Sequence, residues 1–301
     1  MTNFLIRRAK QTESSATVLL ERTGGEPTHP AGVIRGPFCQ FARTLPANFP
    51  LQPLPPLAGR PPAAAATIVD PCYWTPELPF EYELQCEGDA PPQRFAFRRW
   101  YAVGAAFQLS GKRTVLRGAA VSSAFARESE DAIAELLQTA RDTESALVVP
   151  RPPLAFCEQA SREGVALVVD LRSDSEAVAH TVPTNLIHCG AVFAAIVTAA
   201  QLDDTVDQLR RNGVSIVLTC SVADDPPGAE ALARCDALAV ELQADEAPPA
   251  WLAELSRPVF AIRRGAAAPT MAAARAAADQ LQADLAPQFD LAGYFVEVTL
   301  Q

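Results

Sequence analysis

Among these 301 residues there is no CxxC pair, no HxH or HExxH, no glycine-rich phosphate loop and no long apolar run. Each absence closes off a class of function. The 3 histidines, His29, His180 and His188, have no acids arranged near them, so no metal site is expected. The 7 cysteines are scattered and odd in number, which reads as reduced thiols, most of them buried. Cys189 beside His188 does not make a catalytic pair, because strand neighbours point to opposite faces. No G-x-S-x-G elbow occurs, and Ser122-Ser123 has no histidine nearby. The longest apolar stretch, Ala191 to Ala200, is too short to cross a bilayer. The start MTNFLIRRAK lacks the apolar core of a signal peptide, which implies a cytoplasmic location. Positive charge is also scarce: Lys plus Arg is 25 against 35 Asp plus Glu, a net charge of -10, and no basic run exceeds two residues. Nucleic acid and anionic membranes are therefore not expected partners.

What is present falls into two halves. Residues 1–112 hold most of the prolines and aromatics, and their apolar residues alternate. Ser15–Leu20, Phe80–Cys86 and Arg94–Val103 read as strands, with proline-rich connections such as Leu51–Pro62 that suit loops or sheet edges. Short strands with turns between them predict a β-sandwich. From Arg113 the pattern turns to alternating strands and helices. Strands are expected at Thr114–Val121, Ala146–Val149, Val165–Leu171, Phe193–Thr198, Val214–Cys220, Ala237–Glu241, Pro258–Ile262 and Tyr294–Val298. Helices are expected at Glu128–Asp142, Pro153–Glu163, Asp203–Asn212, Ala229–Arg234, Pro249–Leu255 and Thr270–Leu285. About eight strands predict a compact (β/α)8 TIM-type barrel over 113–301, with brief loops. An open doubly wound sheet is the rival, but the turn at Arg117-Gly118-Ala119-Ala120 lacks its glycine pattern.

Two passages at the junction carry a resemblance. Trp74-Thr75-Pro76-Glu77-Leu78-Pro79-Phe80-Glu81-Tyr82-Glu83-Leu84 is similar to the WSPE-x-P-x-LY-x-L segment of glycoside hydrolase family 2, the β-galactosidase and β-glucuronidase group. Residues 95–118, FAFRRWYAVGAAFQLSGKRTVLRG, resemble that family's FGFR…G…F-x-LNGK-x-V-x-L-x-G passage, with Ala96 and Ser110 in place of its Gly and Asn. PPLAFCEQASREG and the strand that follows it continue the order to Leu171. The resemblance implies that the N-terminal sandwich is immunoglobulin-like.

It also implies where catalytic groups belong: a Glu ending strand four as acid/base and a Glu ending strand seven as nucleophile. In the matching register Gln201 and Leu202 stand on the Asn-Glu pair of strand four, and Arg263 stands on the nucleophile. Leucine transfers no proton, and a guanidinium cannot attack an anomeric carbon. A shift in strand four would bring Asp203 to its end. The expectation is a non-catalytic scaffold or glycan-binding module, needing no cofactor. Arg263, Arg264, Gln201 and Arg151 are the candidates to hold a carbohydrate or another small anion at the barrel mouth. The alternative is an active glycosidase with relocated strand-end acids, Asp170 and Glu241, with Asp224 and Glu297 as further acids in similar positions. Read plainly, these acids cap helices or pair with Arg172, Arg263 or Arg264.

Overall fold

The computed structural model describes residues 4–22, 29–55, 61–86, 91–122, 129–172, 184–202, 204–223 and 225–299. His180, Ser123, Asp203 and Asp224 lie outside these described residues. The chain divides into two compact units, Met1–Arg99 with His188–Gly190, and Trp100–Ile187 with Ala191–Gln301.

The first unit contains two four-stranded antiparallel sheets. One is ordered β1 (Phe4–Gln11), β2 (Ser15–Arg22), β6 (Ala63–Val69), β5 (Gln52–Pro53). The other is ordered β4 (Ala47–Pro50), β3 (Gly32–Phe38), β7 (Glu81–Cys86), β8 (Gln93–Phe95). Alternate residues Ala16, Val18 and Leu20 of β2 and Ala64, Ala66 and Ile68 of β6 share one buried cluster with Ile34, Tyr82, Leu84 and Phe95 of the other sheet. That is a two-sheet sandwich built on period-two burial. Pro50 and Pro53 sit on edge strands, where a missing N–H breaks no inner ladder. The phenol oxygen of Tyr82 accepts from the Cys72 backbone N–H at 2.9 Å. Trp74 is fully buried against Gly190, where a Cβ would come within 2.4 Å of its ring. It is a packing residue with no exposed face for a sugar ring.

The stretch expected as one strand over Arg94–Val103 is in fact broken. β8 ends at Phe95, Ala96–Arg99 is non-strand, and β9 (Trp100–Val103) begins a different sheet. Pairing explains the break. Ala96 donates to the His188 carbonyl and Arg98 donates to the carbonyls of Cys189 and Gly190, at 3.0 and 2.9 Å, so this segment follows its own partners and not the ladder.

In the second unit, β9, β10 (Ala106–Leu109) and β11 (Lys112–Thr114) form a three-stranded antiparallel meander. Residues 100–112, expected in the sandwich, pack in the structure with the barrel. Eight parallel strands then close on themselves: β12 (Leu116–Val121), β13 (Ala146–Pro150), β14 (Leu167–Asp170), β15 (Val192–Val197), β16 (Ser215–Ser221), β17 (Ala237–Leu242), β18 (Val259–Ala268) and β19 (Gly293–Val298). β12 pairs in parallel with β19, which rules out the open sheet. β14 and β15 are buried at every position, as parallel strands covered on both faces must be.

The helices among the described residues are α1 (Glu130–Asp142), α2 (Leu154–Glu163), α3 (Asp204–Arg211), α4 (Ala229–Arg234) and α5 (Met271–Leu285). Ser129 and Thr270 cap α1 and α5 through their hydroxyls, and Gly164 ends α2 in the left-handed region at φ 75°. Met271, Ala274, Ala278, Leu281 and Leu285 form the buried stripe of α5 against β12, β18 and β19. The helix expected over Pro249–Leu255 is instead a 3-10 turn at Ala250–Glu254, with Leu252 donating to Pro249 and Leu255 to Leu252.

The meander fixes which end of the barrel is open. Trp100 stacks on Phe107 (4.4 Å) and meets Phe193 (4.5 Å), while Phe107 meets Phe260 (5.5 Å). Trp100 Nε1 also donates to Ser215 Oγ at 3.1 Å. Phe193, Ser215 and Phe260 all lie at the starts of their strands, so the aromatic plug fills the amino-terminal end. A site must use the carboxyl-terminal end, where barrel sites generally lie. Among the described residues no helix is long and apolar enough to cross a membrane.

Candidate functional site at the carboxyl end of the barrel

Four charged side chains converge where strands three, six and seven end. Asp170 closes β14, Arg172 follows it, Glu241 lies next to the end of β17, and Arg264 lies on β18. Arg172 grips Asp170 through Nε to Oδ1 at 2.8 Å and Nη2 to Oδ2 at 2.6 Å, and its backbone N–H also donates to Oδ1. The same Nη2 donates to Glu241 Oε1 at 2.9 Å, and Nη1 donates to Thr219 Oγ1 at 3.2 Å. Arg264 adds two bonds to Glu241 Oε1, from Nε at 3.2 Å and Nη2 at 3.1 Å. Barrel closure makes this possible, since inward residues of strands far apart in sequence meet at the rim.

The electrostatics follow from the bonding. The Asp170 contacts, opposed by burial and helped by Glu241, hold the Arg172 guanidinium more firmly protonated than usual. Burial would raise the Glu241 pKa, but the N–H groups and positive charges of Arg172 and Arg264 outweigh it and hold the carboxyl below its usual value. An acid catalyst at neutral pH needs the opposite shift.

The remaining residues named from sequence are dispersed. Gln201 sits in the 3-10 turn after β15, where its Oε1 accepts from the Thr198 backbone and its Nε2 donates to the Leu171 carbonyl at 2.9 Å. It serves as a cap. Leu202, at the end of that turn, is half-buried. Arg151 follows β13 at φ 44°, its backbone N–H bonded to the Asp170 carbonyl. Arg263 neighbours Arg264 on β18, and the pleat sends the two side chains to opposite faces. Arg264 reaches Glu241, while the buried Nε of Arg263 has no hydrogen-bond partner among the described residues. Glu297 accepts from the Gly265 backbone at 3.0 Å. Among the described residues no group of three or more His, Cys, Asp or Glu could hold a metal ion.

Beside the charged cluster lies a polar pocket of about 530 Å³, lined by Arg172, Thr219, Ser221, Glu241, Gln243 and Glu246 among others. Its size suits a small ligand. Thr219, Ser221, Gln243 and Glu246 were not singled out from sequence; the available signal was their position at the ends of strands five and six. Among the described residues no aromatic side chain lines the pocket.

No protein-family model matches the chain, and no curated protein matches it. Solved structures do. The β-glucuronidase of Parabacteroides merdae superposes with a TM-score of 0.64 at 12% identity, covering 99% of this chain and 47% of that one. The Bifidobacterium dentium β-glucuronidase complexed with coumarin-3-O-glucuronide gives 0.67 at 12% identity, over 98% of this chain and 59% of that one. The Ruminococcus gnavus β-glucuronidase in complex with D-glucaro 1,5-lactone gives 0.64 at 9% identity, over 98% and 61%. The chain thus spans about half to three-fifths of the length of these enzymes. Identity at this level speaks for fold alone, and the fold is glycoside-hydrolase-like.

Proposed function

We propose that this protein is a non-catalytic relative of the family 2 glycoside hydrolases, an immunoglobulin-like sandwich and a barrel whose mouth binds carbohydrate without cleaving it. One observation carries the reading: the Arg172 guanidinium lies between Asp170 and Glu241, the two acids best placed to replace a missing catalytic pair. Both oxygens of Asp170 are engaged by it, and Glu241 is held ionised by two arginines. Each acid is thus tied to a guanidinium where a catalytic carboxyl would have to engage the substrate. Leu202 and Arg263, at the positions the resemblance assigns to catalytic glutamates, agree with this reading.

A second reading, an active glycosidase with relocated acids, has one observation in its favour. Asp170 Oδ2 and Glu241 Oε1 share the same Nη2 at 2.6 and 2.9 Å. Their oxygens are therefore within about 5.5 Å of each other, close to the spacing of a retaining pair. Aryl β-glucuronides, β-galactosides and β-glucosides decide between the two. We expect no turnover above buffer, with weak binding of unhydrolysed glycosides in saturation-transfer NMR. Turnover that disappears in both D170N and E241Q would establish the second reading.

A further inference from the structure

The donor and acceptor inventory of the pocket says which carbohydrates it would take, granted that the barrel mouth binds carbohydrate at all. Among the described residues Arg172 is the only cation lining it, and four of its five N–H groups are already committed to Asp170, Glu241 and Thr219. Arg264 spends its Nε and one Nη2 bond on Glu241. Asp170 and Glu241 balance Arg172 and Arg264, so the four-residue network is close to neutral.

What remains open is negative. Glu241 takes all three of its hydrogen bonds on Oε1, leaving Oε2 without a partner among the described residues. Glu246 is exposed, and its carboxylate takes one hydrogen bond, on Oε2, from the Gln243 backbone N–H at 2.8 Å. Two carboxylates and the Gln243 side-chain amide oxygen thus line the cavity with acceptor capacity to spare, against one uncommitted N–H on the lining Arg172 guanidinium. A sugar carboxylate would meet net like charge, with the Thr219 hydroxyl and the Gln243 amide as neutral donors that do not offset it. An ammonium group would meet the acceptors that three N–H groups require.

We propose that the pocket selects amine-bearing sugars over acid-bearing ones. Its preference runs from an amino sugar, through the neutral sugar, to a uronic acid. Hydrogen bonds and charge set the order.

Methyl β-D-glucosaminide, methyl β-D-glucoside and methyl β-D-glucuronide, titrated into the full chain at about pH 6, where the amine is charged, test the order by calorimetry or NMR. The glucosaminide is expected to bind about tenfold tighter than the glucoside, with the glucuronide weakest. E246Q, a change at an exposed residue, is expected to reduce the amine preference several-fold. Equal affinities, tightest binding of the glucuronide, or an undiminished preference in E246Q would overturn the inference and leave carbohydrate binding standing. Binding of none of the three would overturn both.

Discussion

Arg172 and Asp170, two residues apart, are joined side chain to side chain by two charge-assisted hydrogen bonds of 2.8 and 2.6 Å. The pair closes strand three and aims the rest of the guanidinium at Glu241. Because the Asp170 side chain is only 8% exposed, removing its partner leaves a charge with little water to solvate it. Arg172→Ala is expected to cost about 3 kcal/mol in urea unfolding. The double variant D170N/R172A should cost less than R172A alone, since the stranded charge goes with its partner. A double variant as unstable as the strict sum would show that the two do not act as a unit.

Glu241 gives the barrel an acid-side pH dependence. Its folded pKa is depressed below the ordinary 4.5, so the unfolded chain takes up a proton first as pH falls. The stabilisation is complete above about 4.5 and is lost as pH drops through the lower folded value. Stability profiles of wild type and E241Q should therefore run parallel above that pH and converge below it. Curves that stay parallel throughout would refute the assignment.

His188 acts in the same direction over a higher window. Burial, and then the positive charge of Arg8, push its pKa down from 6.5 to about 3. In the fold it stays neutral while the unfolded chain protonates near 6.5, so its contribution is whole above 6.5 and fades as pH falls toward 3. His188→Gln should flatten the stability profile between those limits. Direct observation by NMR of an imidazole titrating near 6.5 in the folded protein would contradict this.

The barrel was legible because its grammar is local. Runs such as Leu167–Asp170 are apolar on both faces, and Gly164, Ser129 and Thr270 mark helix ends where the backbone needs them. The sandwich was less so. β6 is the run AAAATIV, whose small side chains hide the alternation that burial reveals, and the break at Ala96–Arg99 depends on carbonyls about ninety residues away. In the site, Asp170 and Glu241 were readable as strand-end acids, and pairing with a nearby arginine was one reading of them. Which arginine served which acid was not, because Arg172 and Glu241 are 69 residues apart in sequence and meet only when the barrel closes.

Gly118 tests that closure. A Cβ at this position of β12 would stand 2.0 Å from the Ala146 carbonyl oxygen and 2.8 Å from its nitrogen, both backbone atoms of the neighbouring strand β13. Backbone within a closed barrel has nowhere to retreat. Gly118→Ala is expected to cost upward of about 3 kcal/mol or to prevent folding, whereas Gly213→Ala, with open space around it, should cost only the strain of its positive φ. Similar melting temperatures for the two variants would overturn the close-approach argument.

The aromatic plug makes the last prediction, because it determines that the site lies at the other end. Trp100 contributes ring area against Phe107 and Phe193 and a single polar bond to Ser215, so the two contributions can be separated. Trp100→Phe keeps most of the stacking but leaves the Ser215 hydroxyl without its donor in a buried setting, at a cost of about 1–2 kcal/mol. Trp100→Ala removes the ring as well and is expected to cost about 3–5 kcal/mol. Ser215→Ala in the Trp100→Phe background should recover part of the loss, since no hydroxyl is then left unsatisfied. Ligand affinity at the carboxyl-end pocket should be unchanged in Trp100→Phe under conditions where the protein is folded. A variant that is folded yet loses binding would mean that the amino-terminal plug takes part in the site, and the division of the barrel into a packed end and an open end would have to be given up.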